Sequence, residues 1–131
     1  MKILATDMDG TFLDHLGAYD KARLDNLLDA CEAKDYVFTV ASGRALLALE
    51  ELFDGFVDRI AIIAENGALV QYKGEVLFES KLDPKDYLEI ADTTLALPTC
   101  EGILLSGRRG AYAPNDADPA YLKAMERYYE N

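Results

Sequence analysis

Two carboxylates stand two residues apart near the start of the chain, in Asp7-Met8-Asp9-Gly10-Thr11-Phe12-Leu13, directly after the apolar run Ile3-Leu4-Ala5. In an extended segment, residues i and i+2 face the same side, so Asp7 and Asp9 converge. A dense all-oxygen site of this kind suits magnesium, which takes one or two carboxylates and keeps several waters. One carboxylate could attack phosphorus while its neighbour moves protons. Taken alone, the same residues also describe a plain Asp- and Gly-containing turn. The setting favours chemistry: a strand-like run before and a helix-like segment after is the layout of a site at the carboxyl edge of an open α/β sheet.

Ser42-Gly43 brings a second kind of chemistry: a hydroxyl, a backbone amide open to close approach, and the positive end of a following helix. That combination holds anions, although an ordinary N-cap serine beside a glycine has the same composition. Arg44 either faces the same opening or is a solvated residue of the first helical turn.

Positioning these groups requires parallel strands. Asp20 can cap a helix running to about Lys34, with Leu24, Leu27, Leu28 and Cys31 as its buried stripe. Residues 36–40, Tyr-Val-Phe-Thr-Val, read as a strand buried on both faces. A second helix is expected from Ala45 to Phe53, with Leu46, Leu49 and Phe53 inward, and a third strand from Arg59 to Ile63. Strand, helix, strand, helix, strand is a doubly wound pattern whose right-handed crossovers put all three strand ends on one edge. A phosphate held by Ser42 would then lie next to Asp7.

After Glu65-Asn66-Gly67 the pattern changes. Residues 68–72 and 75–79 flank Lys73-Gly74 as an antiparallel hairpin. Asp83-Pro84 and Asp118-Pro119 each place an N-cap before a proline at the first helical position. Between those helices, Gly102 to Ser106 and Ala111 to Ala113 suggest another hairpin around Arg108-Arg109-Gly110, whose arginines read as a solvated turn more readily than as substrate contacts. Tyr121, Tyr128 and Tyr129 read as packing on a helix face, and His15 as a surface residue. The expected division is residues 1–81 as an α/β core with its hairpin and residues 82–131 as part of an α+β cap.

With 131 residues, half of them apolar and 28% charged, the chain is long enough for one core. The net charge of -11 argues against nucleic acid or anionic membrane as a partner, since both reward clustered Lys and Arg. No run approaches the roughly 18 apolar residues of a membrane span. Asp7 also comes too early for the apolar region of a signal peptide, which makes the cytoplasm the expected location. Cys31 and Cys100 lie in no disulfide or metal-ligand spacing, and Cys31 falls on a buried stripe.

Asp7-Met8-Asp9-Gly10-Thr11, Val40-Ala41-Ser42-Gly43-Arg44 and Glu65-Asn66-Gly67-Ala68, in that order and at those separations, resemble the haloacid dehalogenase (HAD) superfamily. They are most similar to its Cof-type sugar-phosphate phosphatases. The resemblance covers essentially the whole chain and implies a HAD-like, Rossmann-like parallel-sheet core with a cap. It implies that Asp7 is a nucleophile forming an aspartyl-phosphate and that Asp9 is the general acid and base. It also implies magnesium on the Asp7 carboxylate and the Asp9 backbone carbonyl. The amides of Met8 and Gly10 would lie near the phosphate, Ser42 would bind it, and Asn66 would fall where core meets cap as a candidate for substrate or cap contact. The implied substrate is a small phosphorylated metabolite.

The family also uses a lysine and a further acidic pair on two later core strands, and this sequence matches neither. Lys81, Lys85 and Lys123 fall in the hairpin exit or the cap helices. The resemblance therefore implies the amino-terminal portion of a longer phosphatase, with the core incomplete, the first strand an unpaired apolar edge and self-association through it. A noncatalytic magnesium- and phosphate-binding module is the main alternative. A phosphoacceptor signalling domain would need an aspartate at the end of the third strand, where Ala64-Glu65-Asn66 stand instead. A D-x-D nucleotide-sugar transferase does not explain Ser42-Gly43.

Overall fold

The computed structural model describes residues 1–126. Three strands run parallel: β1 (Lys2–Asp7), β2 (Tyr36–Ala41) and β3 (Ala61–Ala64). Two antiparallel strands, β4 (Leu69–Tyr72) and β5 (Glu75–Glu79), extend the sheet in the order β1-β2-β3-β4-β5. The register sets Asp7 opposite Ala41 and Ala41 opposite Ile63, so the carboxyl ends of the three parallel strands lie level. This is the mixed α/β architecture with a parallel sheet that the sequence implied.

Helix α1 (Lys21–Ala33) begins where the Asp20 carboxylate accepts a hydrogen bond from the Arg23 N–H, 3.0 Å away. Its Leu24, Leu28 and Cys31 are buried, with Leu27 partly so. Spacings of four and three residues put them on one face, packed against the sheet residues Phe38, Val40 and Ile62. Helix α2 (Leu46–Leu52) buries Leu49, and Phe53 just beyond its end is also fully buried. Phe53 stacks on Tyr19 with ring centroids 5.2 Å apart, and Phe12 lies 6.0 Å from Phe53. The Tyr19 hydroxyl donates to the Leu52 carbonyl at 2.9 Å, fastening the loop before α1 to the end of α2.

The third strand begins at Ala61 rather than Arg59, because residues 57–59 form a single tight turn that directs Arg59 toward α1. Its guanidinium meets Asp25 at 2.6 Å, Asp29 at 2.7 Å and Glu32 at 2.8 Å. A strand conformation would forfeit that three-carboxylate clasp.

Helix α3 (Pro84–Leu95) is capped by Asp83 and helix α4 (Pro119–Met125) by Asp118, each with proline in the first turn as expected. Between them β6 (Leu105–Gly107) and β7 (Gly110–Tyr112) form a two-stranded sheet. The expected strand from Gly102 begins only at Leu105, and the Tyr121 ring lies on Gly102, where a Cβ would come within 2.6 Å of it. Tyr121 therefore packs as expected; Tyr128 and Tyr129 lie outside the described residues. Both cysteines are free. Among the described residues no helix is long and apolar enough to cross a membrane. β1 forms one edge of the large sheet, with Ile3 66% and Leu4 42% exposed.

Candidate active site

At the end of β1 the chain makes a wide turn over Met8–Phe12, closed by a 3.0 Å hydrogen bond from the Leu13 N–H to the Met8 carbonyl. Gly10 supplies the left-handed residue of this turn, with φ of 75°. Met8 is fully buried, so its side chain anchors the turn in the core. The turn carries Asp7 and Asp9 on its rim. Asp7 is exposed, and the Thr11 hydroxyl lies 3.5 Å from its Oδ2.

The loop after β2 is pinned on both sides. The Ser42 N–H donates to the Ile63 carbonyl at 2.9 Å, the Asn66 N–H to the Ser42 carbonyl at 3.3 Å, and the Glu65 N–H to the Arg44 carbonyl at 3.0 Å. These bonds lock residues 42–44 to the turn after β3, in which Glu65 and Asn66 both adopt left-handed conformations, with φ of 53° and 54°. Asparagine tolerates that region readily and glutamate less so, and such backbone strain concentrates at ligand-binding turns. The Asn66 side chain lies against Gly43: a Cβ on Gly43 would stand 2.8 Å from Asn66 Oδ1. Gly43 thus admits the Asn66 carboxamide, a contact beyond the open amide expected from sequence.

Helix α2 starts at Leu46 with Ala45 as its N-cap, which leaves Ser42 and Gly43 outside its first turn. The helix-dipole contribution expected there is correspondingly weak, since that field fades within one turn. The Ser42 hydroxyl instead accepts the Arg44 N–H at 3.2 Å, bracing the loop locally.

Arg44 is not solvated. It is 8% exposed, and its guanidinium takes the Asp9 carboxylate from two directions: Nη2 donates to Oδ1 at 2.6 Å and Nε to Oδ2 at 3.2 Å. Asp9 remains 48% exposed on its other side. No periodicity signals a pair separated by 35 residues, and only the parallel register brings it together. Two further partners missed in the sequence tie the β6–β7 hairpin to the core: the Ser106 hydroxyl donates to Glu65 at 2.6 Å, and Arg108 takes both oxygens of Glu79. A cavity of about 890 Å³ opens between these elements, bordered by Leu46, Glu65, Leu105 and Tyr112.

Among the described residues no group of three or more His, Cys, Asp or Glu gathers to hold a metal. The accessible Asp7 carboxylate and the backbone oxygen of Asp9 make a small all-oxygen set. Such a set fits magnesium, which is usually bound by one or two carboxylates together with substrate phosphate.

An acidic turn at the end of the first of three parallel strands, with a pinned serine-glycine loop at the end of the second, defines a site at the carboxyl edge of an open α/β sheet. The chain belongs to the haloacid dehalogenase-like hydrolase family, whose model matches residues 4–131. It is 32% identical over 129 residues to the 5-amino-6-(5-phospho-D-ribitylamino)uracil phosphatase YbjI of Escherichia coli K12, covering 98% of this chain and 47% of that protein. Among solved structures, SMU.1108c from Streptococcus mutans UA159 superposes with a TM-score of 0.88 at 29% identity, over 98% of this chain and 48% of that one. The HAD subclass IIB sugar phosphatase BT4131 shares the fold with a TM-score of 0.68 at 21% identity, over 98% of this chain and 49% of that one. The chain thus spans about half the length of the relatives it matches.

Proposed function

We propose that the protein is a magnesium-dependent phosphatase that hydrolyses phosphate monoesters of small metabolites through an aspartyl-phosphate on Asp7. The observation that carries this is the level register of Asp7 with Ala41, which puts the acidic turn and the Ser42-Gly43 loop side by side at one sheet edge. The Asp7 carboxylate attacks phosphorus, forming an O–P bond as the bond to the leaving oxygen breaks, and Asp9 gives that oxygen its proton. Asp9 then takes a proton from water, whose oxygen displaces Asp7 and releases inorganic phosphate. Magnesium, held by Asp7 and the Asp9 backbone carbonyl, would offset charge on the phosphoryl oxygens. Ser42 and the amides of Met8, Gly10 and Gly43 bind the phosphate, and Asn66 borders the leaving group.

The substrate class is a phosphorylated sugar or sugar alcohol, in keeping with the printed activity of the Escherichia coli relative. The cytoplasm is the proposed site of action. The exposed apolar edge of β1 is proposed to pair with another strand, by self-association when nothing else covers it. Phosphate release from a panel of sugar and sugar-alcohol phosphates, with and without magnesium, tests the activity. Asp7→Asn should abolish turnover, and turnover that survives it would remove Asp7 as the nucleophile. A noncatalytic magnesium- and phosphate-binding module is the second reading. It predicts binding of inorganic phosphate with no turnover.

A further inference from the structure

We propose that Arg44 is a positioning residue for Asp9 and not a phosphate ligand. The inference rests on the assignment of Asp9 as the acid and base of the proposed reaction. Three observations support it.

The first is the geometry of the pair. Nη2 reaches Oδ1 at 2.6 Å and Nε reaches Oδ2 at 3.2 Å, so both carboxylate oxygens are engaged by one planar fork. A single hydrogen bond leaves a carboxylate free to swivel, whereas two parallel N–H···O bonds fix its plane as well as its place. The second is burial. The Arg44 side chain is 9% exposed, while that of Asp9 is 48% exposed. The charge that has left water is the arginine, and a buried guanidinium persists only with a partner. The exposed flank of the pair is the carboxylate, which is the side a substrate can approach.

The third is how the arginine is itself held. Its N–H donates to Ser42 Oγ at 3.2 Å and its carbonyl accepts the Glu65 N–H at 3.0 Å. The base of the side chain is therefore fixed to the ends of β2 and β3, while its tip holds the turn that leaves β1. One residue transmits the spacing of three strand ends to the orientation of Asp9. Lysine cannot reproduce this, because an ammonium is a point charge without the fork.

Arg44→Lys, Arg44→Gln and Asp9→Asn in the 131-residue chain test the inference. The deciding measurement is the 15N NMR signal of the Arg44 Nε–H, assigned by its absence from Arg44→Lys. It should be slow to exchange in the wild type, should move or broaden in Asp9→Asn, and should stay in place when magnesium and inorganic phosphate are added. A signal indifferent to Asp9→Asn, or one that follows phosphate, would overturn the proposal. Calorimetry with inorganic phosphate should show affinities for both arginine variants within about fivefold of wild type, and a larger loss would make Arg44 a phosphate ligand after all. In turnover assays, kcat should fall about 10²-fold with KM held within about threefold, and Arg44→Lys should not rescue it. A fall confined to KM would also overturn it. Absence of turnover in the wild type would defeat the phosphatase assignment instead, and the NMR result would still judge the Arg44–Asp9 pair.

Discussion

Arg108 donates from Nε and Nη2 to the two carboxylate oxygens of Glu79, at 2.9 and 2.8 Å, and so clamps the β6–β7 hairpin to the last strand of the large sheet. Lys81 adds a third contact to the same carboxylate at 3.1 Å. The Arg108 hydrogen bonds, with Lys81 behind them, hold Glu79 down from its ordinary 4.5 to about 2.

A depressed carboxylate contributes stability that is complete above its unfolded pKa and is lost as pH falls through the folded value. The docking of the hairpin should therefore be constant from neutral pH to about 4.5 and weaken between there and about 2. Amide chemical shifts of Gly107 and Gly110, followed by NMR down that range, report it directly. Glu79→Gln should remove the acid-dependent step, and an identical step in both proteins would assign it to another group.

Phe53 predicts the cost of loosening the platform beneath the site. It is fully buried, stacked on Tyr19 and near Phe12, where the turn after β1, the approach to α1 and the end of α2 meet. Phe53→Ala should destabilise the protein by about 3–5 kcal/mol through lost burial and the cavity left behind. That is comparable with the whole stability of many domains. Urea unfolding followed by circular dichroism measures the change. A loss below about 1 kcal/mol would mean that the aromatic cluster collapses to fill the space.

The Gly43–Asn66 contact separates site geometry from stability. In Gly43→Ala the added Cβ would press on the Asn66 carboxamide, the far end of a flexible side chain that can swing aside. Thermal stability should change little, while the cradle beside Asp7 is displaced. A misplacement on the order of 1 Å costs about 10²-fold in rate. Removing the obstructing group in Gly43→Ala/Asn66→Ala should restore part of the loss, and strict additivity of the two substitutions would show the contact to be uncoupled.

How much of this was legible beforehand follows from which relationships are periodic. Parallel β1, β2 and β3, and hence the level register of Asp7 with Ala41 beside Ser42, follow from apolar runs alternating with the Leu24, Leu28, Cys31 stripe, since topology leaves few other arrangements. The caps at Asp20, Asp83 and Asp118 were readable because capping is a local bond. The arginines were not. Arg44, Arg59 and Arg108 find their carboxylates 35, 27 to 34 and 29 residues away, along side-chain directions that no hydrophobic period encodes. Arg44 was read as solvated or facing an opening, Arg59 as the start of a strand and Arg108 as part of a solvated turn, and each is engaged by carboxylate.

Arg59 illustrates what such a pairing contributes. It bridges Asp25, Asp29 and Glu32 on one face of α1, three carboxylates that would otherwise repel one another at helical spacing. Those carboxylates raise its already high pKa further, so its charge is constant through any accessible pH. Arg59→Met should lower the melting temperature by a few degrees at low salt, and by less as screening rises. A loss that is independent of salt would point to packing of the side-chain stem instead.

The edge of β1 is where the sheet's physics and its partners meet. Ile3 and Leu4 are 66% and 42% exposed, and on the side away from β2 no described strand pairs with β1. Unpaired backbone groups beside apolar side chains form a template for another strand, and natural edges blunt that template with lysine. Lys2 stands at the start of β1, where it lies over the Tyr36 ring rather than along the edge. Ile3→Lys should therefore suppress association without touching the core or the acidic turn. Sedimentation over rising concentration should show wild-type mass climbing above that of one chain and the variant lagging behind. Equal, concentration-independent monomer mass for both would remove the edge as an association surface, because an available template must recruit by mass action.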